Sequence, residues 1–240
     1  GDYTTYASIL LKFPGNDVQA GSYIDKAVAM EPDEANKVTY LKSIAAYYEK
    51  SKKFADAATW YNKVIAVKKS ASKTDFYNAG YNLFRTGQYQ ASIDVFNLYG
   101  QKFPEDAFSY YMIGKANWAI DSTMQQGLAN SSFEKAIQVG EVDKVKYKNQ
   151  LIGSYKYFVA YYVNIKKDKE TAISFCDKVL EVDPADAEAT KNKTTIAAMN
   201  FSAPAKPGQA PKANNATGKQ EASNKGSGDK ATAPAGPGAK

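Results

Sequence analysis

The chain has 240 residues, with 31 Lys and Arg against 25 Asp and Glu, 18 Tyr, one Cys and no His, a length that holds one or two ordinary domains. The absence of His removes the commonest general base near neutral pH and the commonest metal ligand, and a lone Cys176 excludes an intrachain disulfide, a thiolate zinc cluster and a Cys–His pair. The net charge of +6 is unevenly placed, since residues 201–240 carry +4 and the first 200 only +2, a balance that argues against a basic nucleic-acid face as the main design.

No apolar run approaches the ~20 residues needed to cross a bilayer, and no signal peptide is visible. The chain begins with Gly1 and not Met, so it reads as a processed or excised piece. The first unit, 1–37, reads as two helices broken at Gly15 and closed by Pro32. The second, 38–72, has its small residues at Ala45 and Ala57 and aromatics at Phe54 and Tyr61. The third, 73–106, is the clearest: a helix stops at Arg85-Thr86-Gly87, a second opens at Tyr89, and Pro104 ends it. The fourth, 107–142, carries Gly114, Ala129 and Phe133 with a three-residue insertion, and the fifth, 143–184, has a lengthened first helix before Ala172, Cys176 and Pro184. Residues 185–199 read as a terminal helix that seals the end. Residues 200–240, rich in Ala, Pro, Gly and Lys, read as a flexible tail that cannot offset its ordering entropy.

These units recur in register. Stepping back 35 residues carries Gly80, Leu83, Tyr89, Ser92 and Phe96 onto Ala45, Tyr48, Phe54, Ala57 and Tyr61, and a further 37 onto Ser8, Leu11, Asp17, Ala20 and Ile24. Gly87 maps to Lys52 and then to Gly15. Two apolar segments of helical period joined by a short break form an antiparallel pair. Small residues suit the place where the two helices cross closely, and the aromatics fill the wedge beside it. The pattern resembles the tetratricopeptide repeat family, whose signature is a small residue on the first helix, a small residue early on the second, an aromatic four later and a closing proline. That resemblance implies an all-α, right-handed α-solenoid of stacked antiparallel helix pairs over 1–199. The composition, rich in Tyr and Lys with one Cys and no His, suits a bacterial protein, with the cell envelope or periplasm as the expected location and the cytoplasm as the alternative.

In such an array the first helices line a groove. The helix face opposite each small residue nominates Lys42, Glu49, Tyr77, Tyr81, Arg85, Tyr111, Lys115, Trp118, Tyr157 and Tyr161 as a partner-binding wall. Tyr and Trp offer large contact area at low entropy cost, each with a polar tip. On a purely structural reading some of these rings pack between neighbouring units instead. The function expected is a non-catalytic scaffold for a protein or peptide segment, with a glycan stacked on the same rings as the alternative. The family's Asn and Lys clamp for a C-terminal carboxylate is not matched: the corresponding places hold Ile9, Ala46, Tyr81 and Lys115. No catalytic residue, cofactor or metal site is nominated. Ser-x-x-Lys at Ser70, Ser132 and Ser227, and Asn-x-Ser/Thr at Asn130, Asn192, Asn200 and Asn215, are what chance supplies in a chain of this composition.

Overall fold

The computed structural model describes residues 2–13, 15–69 and 71–200. The tail from Phe201 onward lies outside them, as do Ser70, the Ser227/Lys230 motif and Asn215. Eleven α-helices follow in chain order: α1 (Asp2–Leu10), α2 (Asp17–Met30), α3 (Glu34–Lys50), α4 (Phe54–Val67), α5 (Lys73–Arg85), α6 (Tyr89–Lys102), α7 (Ala107–Ile120), α8 (Asn130–Gly140), α9 (Lys148–Tyr161), α10 (Lys169–Val182) and α11 (Ala187–Ala198). A 3-10 turn, Glu141–Asp143, follows α8, and a π-helical turn, Tyr162–Lys166, extends α9. Among the described residues all regular structure is helical, and each helix packs mainly on those just before and after it. That is the contact pattern of a linear array, without the distant pairings that close a globule.

The breaks inside the pairs share one device. A residue with left-handed backbone stands five positions before a small, buried residue in the second helix or at its N-cap: Gly15 before Ala20, Lys52 before Ala57, Gly87 before Ser92, Met124 before Ala129, and Lys167 before Ala172. A positive φ after a helix end turns the chain back, so the next helix returns antiparallel. Gly87, at φ +76°, adopts this conformation freely, whereas Lys52, Met124 and Lys167 carry a Cβ there at roughly 1–2 kcal/mol each. The longer fourth break adds a second such residue, Gly127.

The wedge within each pair is tight. Ser92 Oγ on α6 donates to the carbonyl of Gly80 on α5 at 2.9 Å. A Cβ added to Gly80 would lie 2.7 Å from Phe96 Cζ, and one on Gly114 2.8 Å from Phe133 Cδ1. The first pair departs from the aligned pattern. Ser8 is exposed and its Oγ donates to the Thr4 carbonyl, while Ala7 beside it is buried. Asp17 stands where the second and third units have the aromatic rings Phe54 and Tyr89, and it is held by Lys53 Nζ at 2.7 Å.

Tyr61, Tyr99 and Tyr155 bury their rings and send their hydroxyls to the edges of the core. Tyr61 donates to Glu49 Oε2 at 3.0 Å, Tyr99 to Asp106 Oδ2 at 3.2 Å and Tyr155 to Glu141 Oε1 at 2.8 Å. Burial and the neighbouring Glu49 carboxylate push the Tyr61 hydroxyl up to about 12.

Ion pairs then fasten one pair to the next. Asp75, in the first turn of α5, is fully buried and takes Lys42 of α3 at 2.6 Å and Lys68, just past α4, at 2.7 Å. Its Oδ2 also accepts from the backbone N–H and the hydroxyl of Ser72, the N-cap of α5. Burial alone would raise this carboxyl, but Lys42, Lys68 and Ser72 outweigh it and hold the group well below the usual carboxylate range. Lys73 to Asp106 (2.6 Å) and Lys156 to Asp186 (2.9 Å) repeat the arrangement further along.

Two outcomes follow for stability. Gly80→Ala should destabilise the protein, because overpacking against Phe96 costs about 1–3 kcal/mol and outweighs the roughly 1 kcal/mol gained in helix propensity. In denaturant melts the loss should shrink when Phe96 is Leu. Asp75→Asn should cost about 2–3 kcal/mol by leaving two lysines without their shared carboxylate. Because the folded carboxyl is depressed, its stabilisation is present above the unfolded value and lost as pH falls below about 4. Thermal melts across that window should therefore drop more for the unaltered protein than for Asp75→Asn.

Candidate functional site

The residues nominated on α5 and α7 form a continuous run of rings and cations. Tyr77 stacks on Tyr81 with centroids 5.2 Å apart, Tyr81 on Phe84 at 6.5 Å, and Tyr77 tilts against Phe108 of α7 at 5.5 Å. Arg85 lays its guanidinium 3.4 Å over Phe54 and 5.6 Å from Tyr81, and Lys115 places its ammonium 5.2 Å from Phe84 and 5.7 Å from Tyr111. The capping box of Ser72 and Asp75 starts α5, and Asp106 caps α7 through the Phe108 N–H, so both helices enter this face with fixed ends. Tyr77 is 40% exposed and Trp118 36%, enough for each to offer a ring face to a partner.

Beyond Tyr111 the face opens into a cleft of about 470 Å³ between α7, α9 with its π-helical turn, and α11. Tyr111 and Gly153 bring α7 and α9 together, since a Cβ on Gly153 would lie 2.6 Å from the Tyr111 ring. Trp118, Val159, Val163, Ile196 and Met199 make apolar walls, and Lys115, Lys156, Glu188 and Asn192 stand among them. Lys156 is already neutralised by Asp186 at 2.9 Å and Glu188 at 2.6 Å.

The ten nominated residues divide into three groups. Tyr77, Tyr81, Arg85, Tyr111, Lys115 and Trp118 come together as described. Lys42 and Glu49 are on the same side but engaged: Lys42 with Asp75, and Glu49 as acceptor from Tyr61 and, at 3.4 Å, from Asn82. Tyr157 and Tyr161 are corrections to the expected wall. They are 1% and 8% exposed, because Trp118 and Phe133 cover Tyr157 at 5.4 and 4.5 Å while Tyr161 stacks behind it at 6.1 Å. The Tyr157 hydroxyl donates to Asn130 Oδ1 at 2.6 Å, and burial pushes it up to about 12. Sequence reading also passed over the inner face of α11, where Glu188, Asn192, Thr195, Ile196 and Met199 recur at helical spacing along the cleft. That stripe was the available signal.

Cys176, at the place of the family's second-helix aromatic, is fully buried and burial pushes its thiol up. Among the described residues no group of three or more His, Cys, Asp or Glu gathers as metal ligands, and no helix is long and apolar enough to cross a membrane.

No family model and no curated protein matches the sequence. Solved structures do. The C-terminal part of a TPR repeat-containing protein from Cytophaga hutchinsonii superposes with a TM-score of 0.62 at 27% identity, over 80% of this chain and 72% of that one. The chain has the tetratricopeptide repeat fold. Residues 41 to the end of MamA from Desulfovibrio magneticus share its fold with a TM-score of 0.50 at 19% identity, over 78% of this chain and 98% of that one. So does YrrB, described as a TPR protein with an unusual peptide-binding site, with a TM-score of 0.50 at 17% identity over 80% and 90% of the two chains. A tetratricopeptide fold suggests an interaction scaffold with protein or peptide partners.

Ring exposure separates surface from core in this tetratricopeptide array. Tyr157→Ala should cost about 3–5 kcal/mol in a denaturant melt, as for other large buried rings. Tyr77→Ala should stay within about 1 kcal/mol, because a half-exposed ring gives up little burial.

Proposed function

We propose that this chain is a non-catalytic scaffold that binds a protein or peptide segment across the first helices α5 and α7. Tyr77, Tyr81, Tyr111 and Trp118 supply contact area, and Arg85 and Lys115 set the charge preference. The observation that carries this reading is the unbroken run of partly exposed rings on two neighbouring helices, interleaved with cations that are held by those rings. Rings packed against each other lose little entropy when a ligand covers them, which favours binding at low ordering cost. The cations keep their donors available, because their contacts to the rings use charge and not hydrogen bonds.

The test is peptide display against the intact chain, followed by titration of recovered peptides into the triple variant Tyr77→Ala, Tyr81→Ala, Trp118→Ala. Binding should weaken at least thirtyfold while circular dichroism and melting stay close to those of the unaltered protein. Undiminished binding would remove this face from the function, and a collapsed melt would make the rings core. A glycan array run in parallel gives the rival reading its chance: saturable glycan hits lost in the same variant, with no peptide recovered, would replace the peptide partner by a sugar.

A further inference from the structure

We infer that the cleft between α7, α9 and α11 is a binding site for a small amphipathic carboxylate, an aliphatic or aromatic acid of medium length with a single carboxyl group. The site overlaps the partner-binding face proposed above at Tyr111, Lys115 and Trp118 and extends from there to α9 and α11.

The three helices run side by side in the same direction. Tyr111 meets Gly153 and, further along, Trp118 meets Tyr157; Lys156 meets Glu188 and, further along, Val159 shares a packed cluster with Ile196, and Val163 with Met199. The cleft is therefore graded along the helix axes. Its charged groups, Lys115, Lys156 and Glu188, stand at the earlier turns with Tyr111 beside them, and Trp118, Val159, Val163, Ile196 and Met199 line the later ones, with Asn164 and Thr195 as the neutral polar groups there. A volume of about 470 Å³ falls within the range of small-molecule sites, which are mostly apolar with a few fixed polar groups.

The two lysines differ in what they have left to give. Lys156 is shared between two carboxylates, whereas Lys115 has no carboxylate within ion-pair distance among the described residues. Lys115 is half-buried, its ammonium held between the rings of Phe84 and Tyr111, so part of its hydration is replaced by ring faces. An ammonium in that setting, beside apolar walls that lower the local dielectric, attracts an anion more strongly than one in open water. A neutral or cationic amphiphile would fill the apolar end and leave Lys115 uncompensated. A carboxylate on an apolar body satisfies both ends at once.

The experiment titrates decanoate into the intact chain by calorimetry below its micelle concentration, with decyltrimethylammonium and decanol as matched controls. Decanoate should bind saturably at one site, and the cationic probe should show no saturable heat. Lys115→Met should weaken decanoate at least tenfold without changing the fold, since Lys115 makes no ion pair among the described residues. Ala160→Phe, which fills the cleft from α9, should abolish binding while peptides recovered on the α5–α7 face still bind. Absence of saturable decanoate binding, equal binding of the cationic amphiphile, or full affinity in both variants would overturn the inference.

Discussion

Two helix backbones approach closely only where neither carries more than a methyl or a hydroxyl, and that limit governs this molecule. Gly80 and Ser92 meet at such a place, and the ring of Phe96 fills the wedge so fully that a single added carbon on Gly80 would collide with it. Once the crossing is fixed, the positions of the other rings follow from helical spacing. The left-handed residue five places before the small one sets where the second helix begins, whatever the length of the break before it. This is why the three-residue insertion of the fourth pair and the lengthened helix of the fifth leave the crossing intact.

Electrostatics then works at the joints between pairs. Tyr61, Tyr99 and Tyr155 work there: each ring adds apolar area inside the array, and its hydroxyl reaches a carboxylate where the core meets water. Acidic groups at helix starts also receive lysines from the preceding pair, so that Asp75 and Asp106 each serve as helix start and as fastening point. A buried carboxylate with two lysines is strongly coupled to both neighbours, which ties the geometry of α5, the centre of the aromatic face, to that of α3 and α4.

The fold was legible because its cause is local and periodic: a close helix crossing demands small residues and rings at fixed intervals, and each pair along the chain meets that demand afresh. The aromatic face was legible in part. Helical spacing says which way Tyr77 and Tyr157 point from their own axes, but not what stands opposite. Tyr77, beside Tyr81 and Phe108, keeps 40% of its surface exposed, whereas Tyr157 is covered by Trp118 and Phe133. Lys42 and Glu49 were nominated for the wall although both are engaged, because their partners, Asp75 for Lys42 and Tyr61 and Asn82 for Glu49, stand on other helices, beyond the reach of any pattern within a single helix. The roles of Met124 and Lys167 were hidden because neither residue type announces a positive φ; only the offset to Ala129 and Ala172 reveals them. The inner stripe of α11 escaped attention because a helix read as an end seal is searched on its outer side.

The π-helical turn Tyr162–Lys166 has a consequence for how such arrays acquire new surfaces. A π turn accommodates one surplus residue inside a helix without moving the elements on either side. Here it directs Val163 and Asn164 toward the cleft while Tyr162 stacks on Phe175 of α10. A change in chain length absorbed in this way redistributes side chains between core and cavity, where substitution alone would have to alter several positions together. Insertions within the long helices of repeat proteins are in this sense raw material for diversification, and not merely tolerated irregularities.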